Sequence, residues 1–82
     1  MPYFNNRESI DEFVEYMSER GFGKVVLEAF DRNCKRRNLN TGHISYVEIW
    51  FSSFTDHGND FTLYKFFDET ELELFSFEIE GY

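Results

Sequence analysis

Apolar residues recur at helical spacing in the first part of the chain, and polar residues fill the positions between them. One stripe follows the i, i+3, i+4, i+7 pattern of a buried helix face: Ile10, Phe13, Val14 and Met17. Ser9 and Glu12 have the spacing of a capping box at the start of this helix. Asn6 is a competing cap one turn earlier, and Gly21 is expected to close the helix in the left-handed conformation.

A second stripe predicts a helix from about residue 24 to residue 37, with these apolar positions: Val26, Leu27, Phe30 and Cys34. Three cations fall in its last turn, where the helix dipole favours them: Lys35, Arg36 and Arg37. Asp31 and Glu28 lie at helical spacing for ion pairs with this cluster. The cluster could also touch nucleic acid, but stabilisation of the helix end is the favoured interpretation. The short joint between the helices predicts an antiparallel helix hairpin.

Strand patterns replace helical ones after residue 43. Residues 44–54, 61–67 and 71–80 are rich in β-branched and aromatic side chains, and turn-forming residues 56–60 and 68–70 separate them. Short loops between successive strands predict an antiparallel meander, and the helix hairpin is the cover for one of its faces. The sequence therefore predicts a single α+β domain over residues 1–82, an N-terminal helix hairpin packed on a three-stranded antiparallel β-meander (ααβββ).

Alternation along the strands predicts which side chains face the helices. The inward set is Val47, Ile49 and Phe51 in the first strand and Phe75, Phe77 and Ile79 in the third. The outward set is Ile44, Tyr46, Glu48, Trp50 and Ser52 with Ser76, Glu78 and Glu80. A bulge near residues 74–75 would place Glu71 and Glu73 on the outward face as well. The second strand stays open, because Phe61, Leu63 and Phe67 compete with Tyr64 and Phe66 for the core.

Acidic residues are unevenly distributed along the chain, whose formal net charge is −8. Residues 1–37 carry seven acids and seven bases, whereas residues 38–82 carry nine acids and the single base Lys65. A one-signed surface attracts partners of opposite charge and repels nucleic acid and anionic membranes. The candidate partner-binding residues are the outward rings and carboxylates, with Lys65 as a neighbour: Tyr46, Glu48, Trp50, Glu71, Glu73, Glu78 and Glu80. The alternative is an ordinary solvated face whose glutamates prevent edge pairing.

Motifs for catalysis or cofactor binding are missing from the sequence, so we expect a protein that is not an enzyme and holds no cofactor or metal. A zinc site from Cys34, His43 and His57, or a catalytic pair of Cys34 and His43, would require an unusual tertiary arrangement. The chain has no long apolar run and no signal-peptide pattern, and its one cysteine cannot form an internal disulfide. These features predict a cytoplasmic protein, monomeric or homodimeric.

Three functions suit this charge pattern. The first is an inhibitor that blocks the basic, nucleic-acid-binding surface of a host protein; in size and charge, though in no motif, the chain is similar to anti-restriction and anti-CRISPR proteins of phages and mobile elements. Carboxylates two residues apart on a strand are ~6.8 Å apart, about twice the ~3.4 Å axial step between phosphates of one DNA strand. The second is an immunity protein or antitoxin for a basic toxin. The third is a self-associating adaptor whose acidity keeps it in solution.

Overall fold

The computed structural model describes residues 3–54 and 59–80, and within these ranges it leaves the side chains of residues 53, 54 and 59 undescribed. Its elements, in chain order, are β1 (Tyr3–Ser9), α1 (Ile10–Ser18), α2 (Gly23–Arg36), a 3-10 turn (Thr41–His43), β2 (Tyr46–Phe54), β3 (Asn59–Phe67) and β4 (Glu73–Glu80). No helix within the described ranges is long and apolar enough to cross a membrane.

Four strands, not three, form the sheet, in the order β1-β2-β3-β4 with every neighbouring pair antiparallel. The α+β class predicted from the sequence is confirmed, and the number of strands was wrong. The strand that was missed, β1, is mostly polar, because residues 5–9 are all polar and its first two residues are exposed aromatics. Without apolar alternation, only its pairing with β2 makes it a strand. Asn6 lies in β1, so its prediction as a competing helix cap was also wrong.

The first helix starts where the sequence predicted and ends earlier. The Ser9 hydroxyl accepts the Glu12 backbone N–H at 3.3 Å, which confirms Ser9 as the N-cap. Gly21 was predicted to close the helix in the left-handed conformation, but α1 is already capped at Glu19 and Gly21 does not have a positive φ. The essential glycine is Gly23, where an added Cβ would lie 1.9 Å from the Met17 carbonyl oxygen. The two helices can therefore come this close only because Gly23 has no side chain.

The second helix ends in a Schellman motif built on an asparagine. Asn38 has φ 56°, and the Leu39 N–H donates to the Cys34 carbonyl at 2.8 Å. Arg37 Nη1 donates to the Asn33 carbonyl at 3.2 Å, and Lys35 pairs with Asp31 at 3.0 Å. At least part of the predicted basic cluster therefore stabilises the helix end, while Arg36 remains exposed.

The helices cover one face of the sheet, and the core lies between the two layers. Phe13, Val26, Val47 and Phe66 are fully buried there, surrounded by further buried residues from both layers. The sequence left open which side chains of the second predicted strand, now β3, face the core. They are Tyr64 and Phe66, which are 3% and 0% exposed. Cross-strand pairs explain this choice, because Tyr64 lies opposite Ile49 and Phe66 opposite Val47, both inward residues of β2.

Two further predictions about strand phase had different outcomes. Phe66 pairs with Phe75 and Phe67 pairs with Glu73, so Leu74 is the extra residue of a bulge, as predicted. Ile44, predicted to point outward, is buried in the core at 4% exposure. It precedes the first residue of β2, so strand alternation does not apply to it. Of the predicted turn 56–60, residues 56–58 lie outside the described residues, and Asp60 belongs to β3.

Candidate functional site

The sheet face opposite the helices is not covered by any element of the described chain. We call it the open face and define it by the outward side chains of the four strands. Cross-strand register assigns them to this side: Phe4, Arg7, Tyr46, Glu48, Trp50, Ser52, Phe61, Leu63, Lys65, Phe67, Glu73, Ser76, Glu78 and Glu80. Most of the apolar members are only half-buried, and Phe4 is 48% exposed. A sheet face of this kind is typical of a contact surface.

Aromatic rings and cations alternate across the centre of the open face. Phe4 meets Trp50 edge to face, with ring centroids 5.4 Å apart and planes at 82°. Lys65 Nζ lies 4.7 Å from the centroid of Trp50. One row further along, Tyr46 stacks on Phe67 at 4.9 Å, and Arg7 Cζ lies 4.5 Å from the Tyr46 centroid. Each cation is thus held against a ring, which orders both groups before any partner arrives.

Glu48 differs from the other predicted site carboxylates, because its charge is already paired. Its side chain is 15% exposed, and Arg7 Nη2 lies 3.0 Å from its Oε2. Trp50 Nε1 donates to its other oxygen at 3.3 Å. Glu48 therefore fixes the positions of Arg7 and Trp50 and offers a partner little net charge. Glu48 was predicted as a partner-binding residue, and its pairing with Arg7 was not predicted from the sequence.

The border of the open face along β4 is acidic. Glu73, Glu78 and Glu80 are exposed and share one side of the strand, next to the outward rings of β3. No ion pair joins them to a base in the part of the chain that the structure describes. Their charges are thus presented to solvent beside an apolar surface.

Glu71 reaches the same border from the turn before β4. Its φ of 69° is in the left-handed region, which a non-glycine residue adopts at a cost. Asp68 holds the turn: one carboxylate oxygen accepts from the Thr70 hydroxyl at 2.6 Å, from the Thr70 N–H at 2.8 Å and from the Leu72 N–H at 3.1 Å. These hydrogen bonds, chiefly the one from the Thr70 hydroxyl, lower the pKa of Asp68, so the turn retains a charged carboxylate.

Tyr46 links the turn to the centre of the open face. Partial burial, together with the nearby carboxylates of Glu71, Glu48 and Asp68, raises the pKa of the Tyr46 phenol, and Arg7 opposes the shift. Tyr46 lies opposite Phe67, the last residue of β3, so the turn that carries Glu71 begins beside Tyr46. The structure thus brings the seven residues predicted as a site onto one face and its bordering turn.

Several residues of this surface were missed from the sequence. Phe4 and Arg7 were missed because the polar segment around them carries no strand signal and joins the sheet only through pairing. Leu63 and Phe67 had been considered for the core, but β3 directs them outward, between the rings of β2 and the glutamates of β4. The paired tyrosine and phenylalanine at residues 3 and 4 were the only sequence signal for a fourth contributor.

The candidates for metal or thiol chemistry are not brought together. Cys34 is buried among the core residues, and His43 accepts the Asn40 N–H through Nδ1 in the exposed 3-10 turn. Burial, reinforced by Asp31 and opposed by Arg37, raises the pKa of the Cys34 thiol, which lowers its reactivity. His57 lies outside the described residues, and within them no group of three metal-binding side chains occurs.

Comparisons of the chain with protein-family models, with curated proteins and with solved structures find no match. Its function therefore has to be inferred from the geometry of its own surface.

Proposed function

We propose that this protein is an inhibitor that docks its open face on a basic, nucleic-acid-binding surface of another protein. The observation that carries the proposal is the adjacency of two features. An uncovered apolar centre, with Phe4, Trp50 and Leu63, lies beside exposed carboxylates on β4 that have no described basic partner. Aromatic rings provide contact area in protein interfaces, and complementary charge makes an interface selective for one kind of partner.

The spacing of the carboxylates suits such a target. Glu78 and Glu80 are two residues apart on one strand, which corresponds to ~6.8 Å along β4. Successive phosphates of one DNA strand advance by ~3.4 Å along the axis, so basic groups that contact every second phosphate have a similar repeat. Anti-restriction and anti-CRISPR proteins act by this kind of charge competition, and a toxin-neutralising protein would use the same surface.

Self-association through the open face is less favoured by its charges. An isologous dimer would place two copies of the face against each other. Among the described residues of this face there are two bases, Arg7 and Lys65. Both already contact rings, and Arg7 also pairs with Glu48. The free carboxylates of one copy would thus meet no unengaged base on the outward strands of the other copy. A basic partner would instead supply unengaged cations for these carboxylates.

A capture experiment with competition tests the proposal. The protein is immobilised, partners are captured from a lysate of its native host, and duplex DNA is then added to the washed complex. We expect DNA to release the partner, because nucleic acid and inhibitor compete for one basic surface. Release by salt alone, with no effect of DNA at constant ionic strength, would contradict a nucleic-acid-binding target.

Paired charge reversals test the surface itself. Glu71→Lys with Glu73→Lys should slow association with the captured partner and flatten its salt dependence. Glu28→Lys with Asp31→Lys makes the same change in net charge on α2 and should leave the rate close to that of the parent. Exposed substitutions of this kind usually change stability by less than about 0.5 kcal/mol, so both proteins should remain folded. Equal effects of the two pairs would show that only net charge matters.

A further inference from the structure

A cavity of about 320 Å³ opens on the opposite side of the sheet, between β1, the end of α1 and the joint before α2. Aromatic side chains form much of its wall: Tyr16, Phe22, Phe51 and Tyr64. Glu8 and Asn6 of β1 supply polar groups at its border. None of these residues belongs to the open face, so the cavity is a separate feature of the molecule.

Polar groups converge on this cavity from three elements. Glu8 of β1, Tyr16 of α1 and Tyr64 of β3 all line it. Burial, reinforced by Tyr16 and Glu8, raises the pKa of the Tyr64 phenol to about 12. Tyr64 is 3% exposed as a residue, and it forms part of the cavity wall. A hydroxyl that lines a cavity beside a carboxylate can donate to or accept from a polar ligand group.

Charge outside the cavity favours a cation. Three glutamates line a groove along α1 that shares Asn6, Glu8 and Tyr16 with the cavity: Glu12, Glu15 and Glu19. The one base in that groove, Arg7, is paired with Glu48. Arg20 Cζ lies 3.9 Å from the centroid of Tyr16, so one face of this ring already holds a guanidinium and the other face is left for a ligand.

We propose that the cavity binds the guanidinium group of an arginine side chain presented by a basic ligand. The planar group stacks on the aromatic walls, and its N–H groups donate to Glu8 and the Tyr64 hydroxyl. Guanidinium fits better than ammonium because the site offers flat walls and acceptors on more than one side. This inference does not depend on the proposed role of the open face, which lies across the sheet.

A titration with N-acetyl-arginine methylamide, followed by two-dimensional NMR of backbone amides, tests the site. We expect chemical-shift changes at the amides of Asn6, Glu8, Tyr16 and Phe51. A Kd of about 1 mM is expected for a ligand of about 16 non-hydrogen atoms. The matched citrulline compound has the same shape without the charge and should bind at least about tenfold more weakly. Equal binding of the two compounds, or shifts confined to the Trp50 side of the sheet, would overturn the proposal.

Two variants and a control locate the interaction. Glu8→Gln should weaken binding of the arginine compound by about three- to tenfold, and Glu28→Gln, on α2, should leave it unchanged. Tyr16→Leu removes an exposed ring from the cavity wall without changing the core, and it should weaken binding about threefold. This second variant still tests the proposal if Glu8→Gln does not fold. Unchanged affinity in Tyr16→Leu together with unchanged affinity in a folded Glu8→Gln would exclude this cavity.

Discussion

The two faces of the sheet are both rich in aromatic rings, but they use them differently. On the covered face, Phe66 is fully buried and lies 5.0 Å from Phe30 and 4.7 Å from Phe75, centroid to centroid. On the open face, Trp50 and Tyr46 remain half-buried. They contact Lys65 and Arg7 as well as the rings of Phe4 and Phe67. The comparison shows that aromatic content alone does not indicate core. The helices bury the rings on the covered face, whereas rings on the open face stay accessible even where they contact one another.

Truncation of one ring on each face should give the largest contrast. Phe66→Ala should lower the free energy of unfolding by about 3–5 kcal/mol, because it leaves a cavity in the core. Trp50→Ala should cost about 1 kcal/mol, since its ring is already partly solvated. Urea denaturation of both proteins measures the difference. The free energy of unfolding of a domain of this size is roughly 4–12 kcal/mol, so the alanine variant of Phe66 could be unfolded. In that case Phe66→Leu, which should cost up to about 1.5 kcal/mol, replaces it in the comparison. Equal losses for the two alanine variants would remove the distinction between the faces.

The close packing of α1 against α2, which together cover one face of the sheet, depends on Gly23 and not on Gly21. Gly23→Ala should destabilise by about 1–3 kcal/mol, because its Cβ would overlap the Met17 carbonyl and separate the helices. Gly21→Ala meets nothing within 4 Å and should be neutral or stabilising by up to about 1 kcal/mol. Thermal melts of the two variants provide the comparison. Similar destabilisation at both positions would contradict the close approach of α1 and α2.

Alkaline unfolding should separate the tyrosines of the two faces. Tyr64 has its pKa raised to about 12, whereas the unfolded chain ionises its tyrosines near ~10. The unfolded state therefore releases this proton first, so stability is unaffected below pH ~10 and falls as the pH rises towards 12. Tyr64→Phe should reduce this loss in urea denaturation between pH 9 and 11.5. Tyr46→Phe should reduce it less, because Tyr46 is only half-buried and Arg7 favours its ionised form. Equal slopes for the two variants would argue against the burial of Tyr64.

The ion pair between Arg7 and Glu48 on the open face should make the smallest contribution to the free energy of unfolding. A double-mutant cycle of Arg7→Ala and Glu48→Ala should give a coupling of about 0.2–1 kcal/mol, since one partner is largely solvated. The coupling should shrink in 0.5 M salt, because screening weakens exposed pairs. A coupling above about 2 kcal/mol, insensitive to salt, would show that the open face is covered in solution.

Local patterns in the sequence were enough for much of the fold. They predicted both helices, the Ser9 cap, three of the strands and the bulge at Leu74, each of which depends on neighbouring residues or on alternation within one strand. They also placed the outward glutamates of β4 on one side, since alternation needs no knowledge of the other strands. The positions of the candidate binding residues could therefore be predicted before their neighbours were known.

Tertiary pairing decided the rest. Only pairing with β2 makes a strand of Tyr3–Ser9, and only that pairing brings Arg7 to Glu48 and reduces the charge that Glu48 offers. The inward face of β3 was ambiguous because both sides of that strand are aromatic, and its neighbours in β2 and β4 resolved it. Similarly, the cavity near Tyr64 is lined by residues far apart in the chain. Local patterns fix the phase of each element, whereas partner choice between distant segments depends on contacts that no single window of sequence contains.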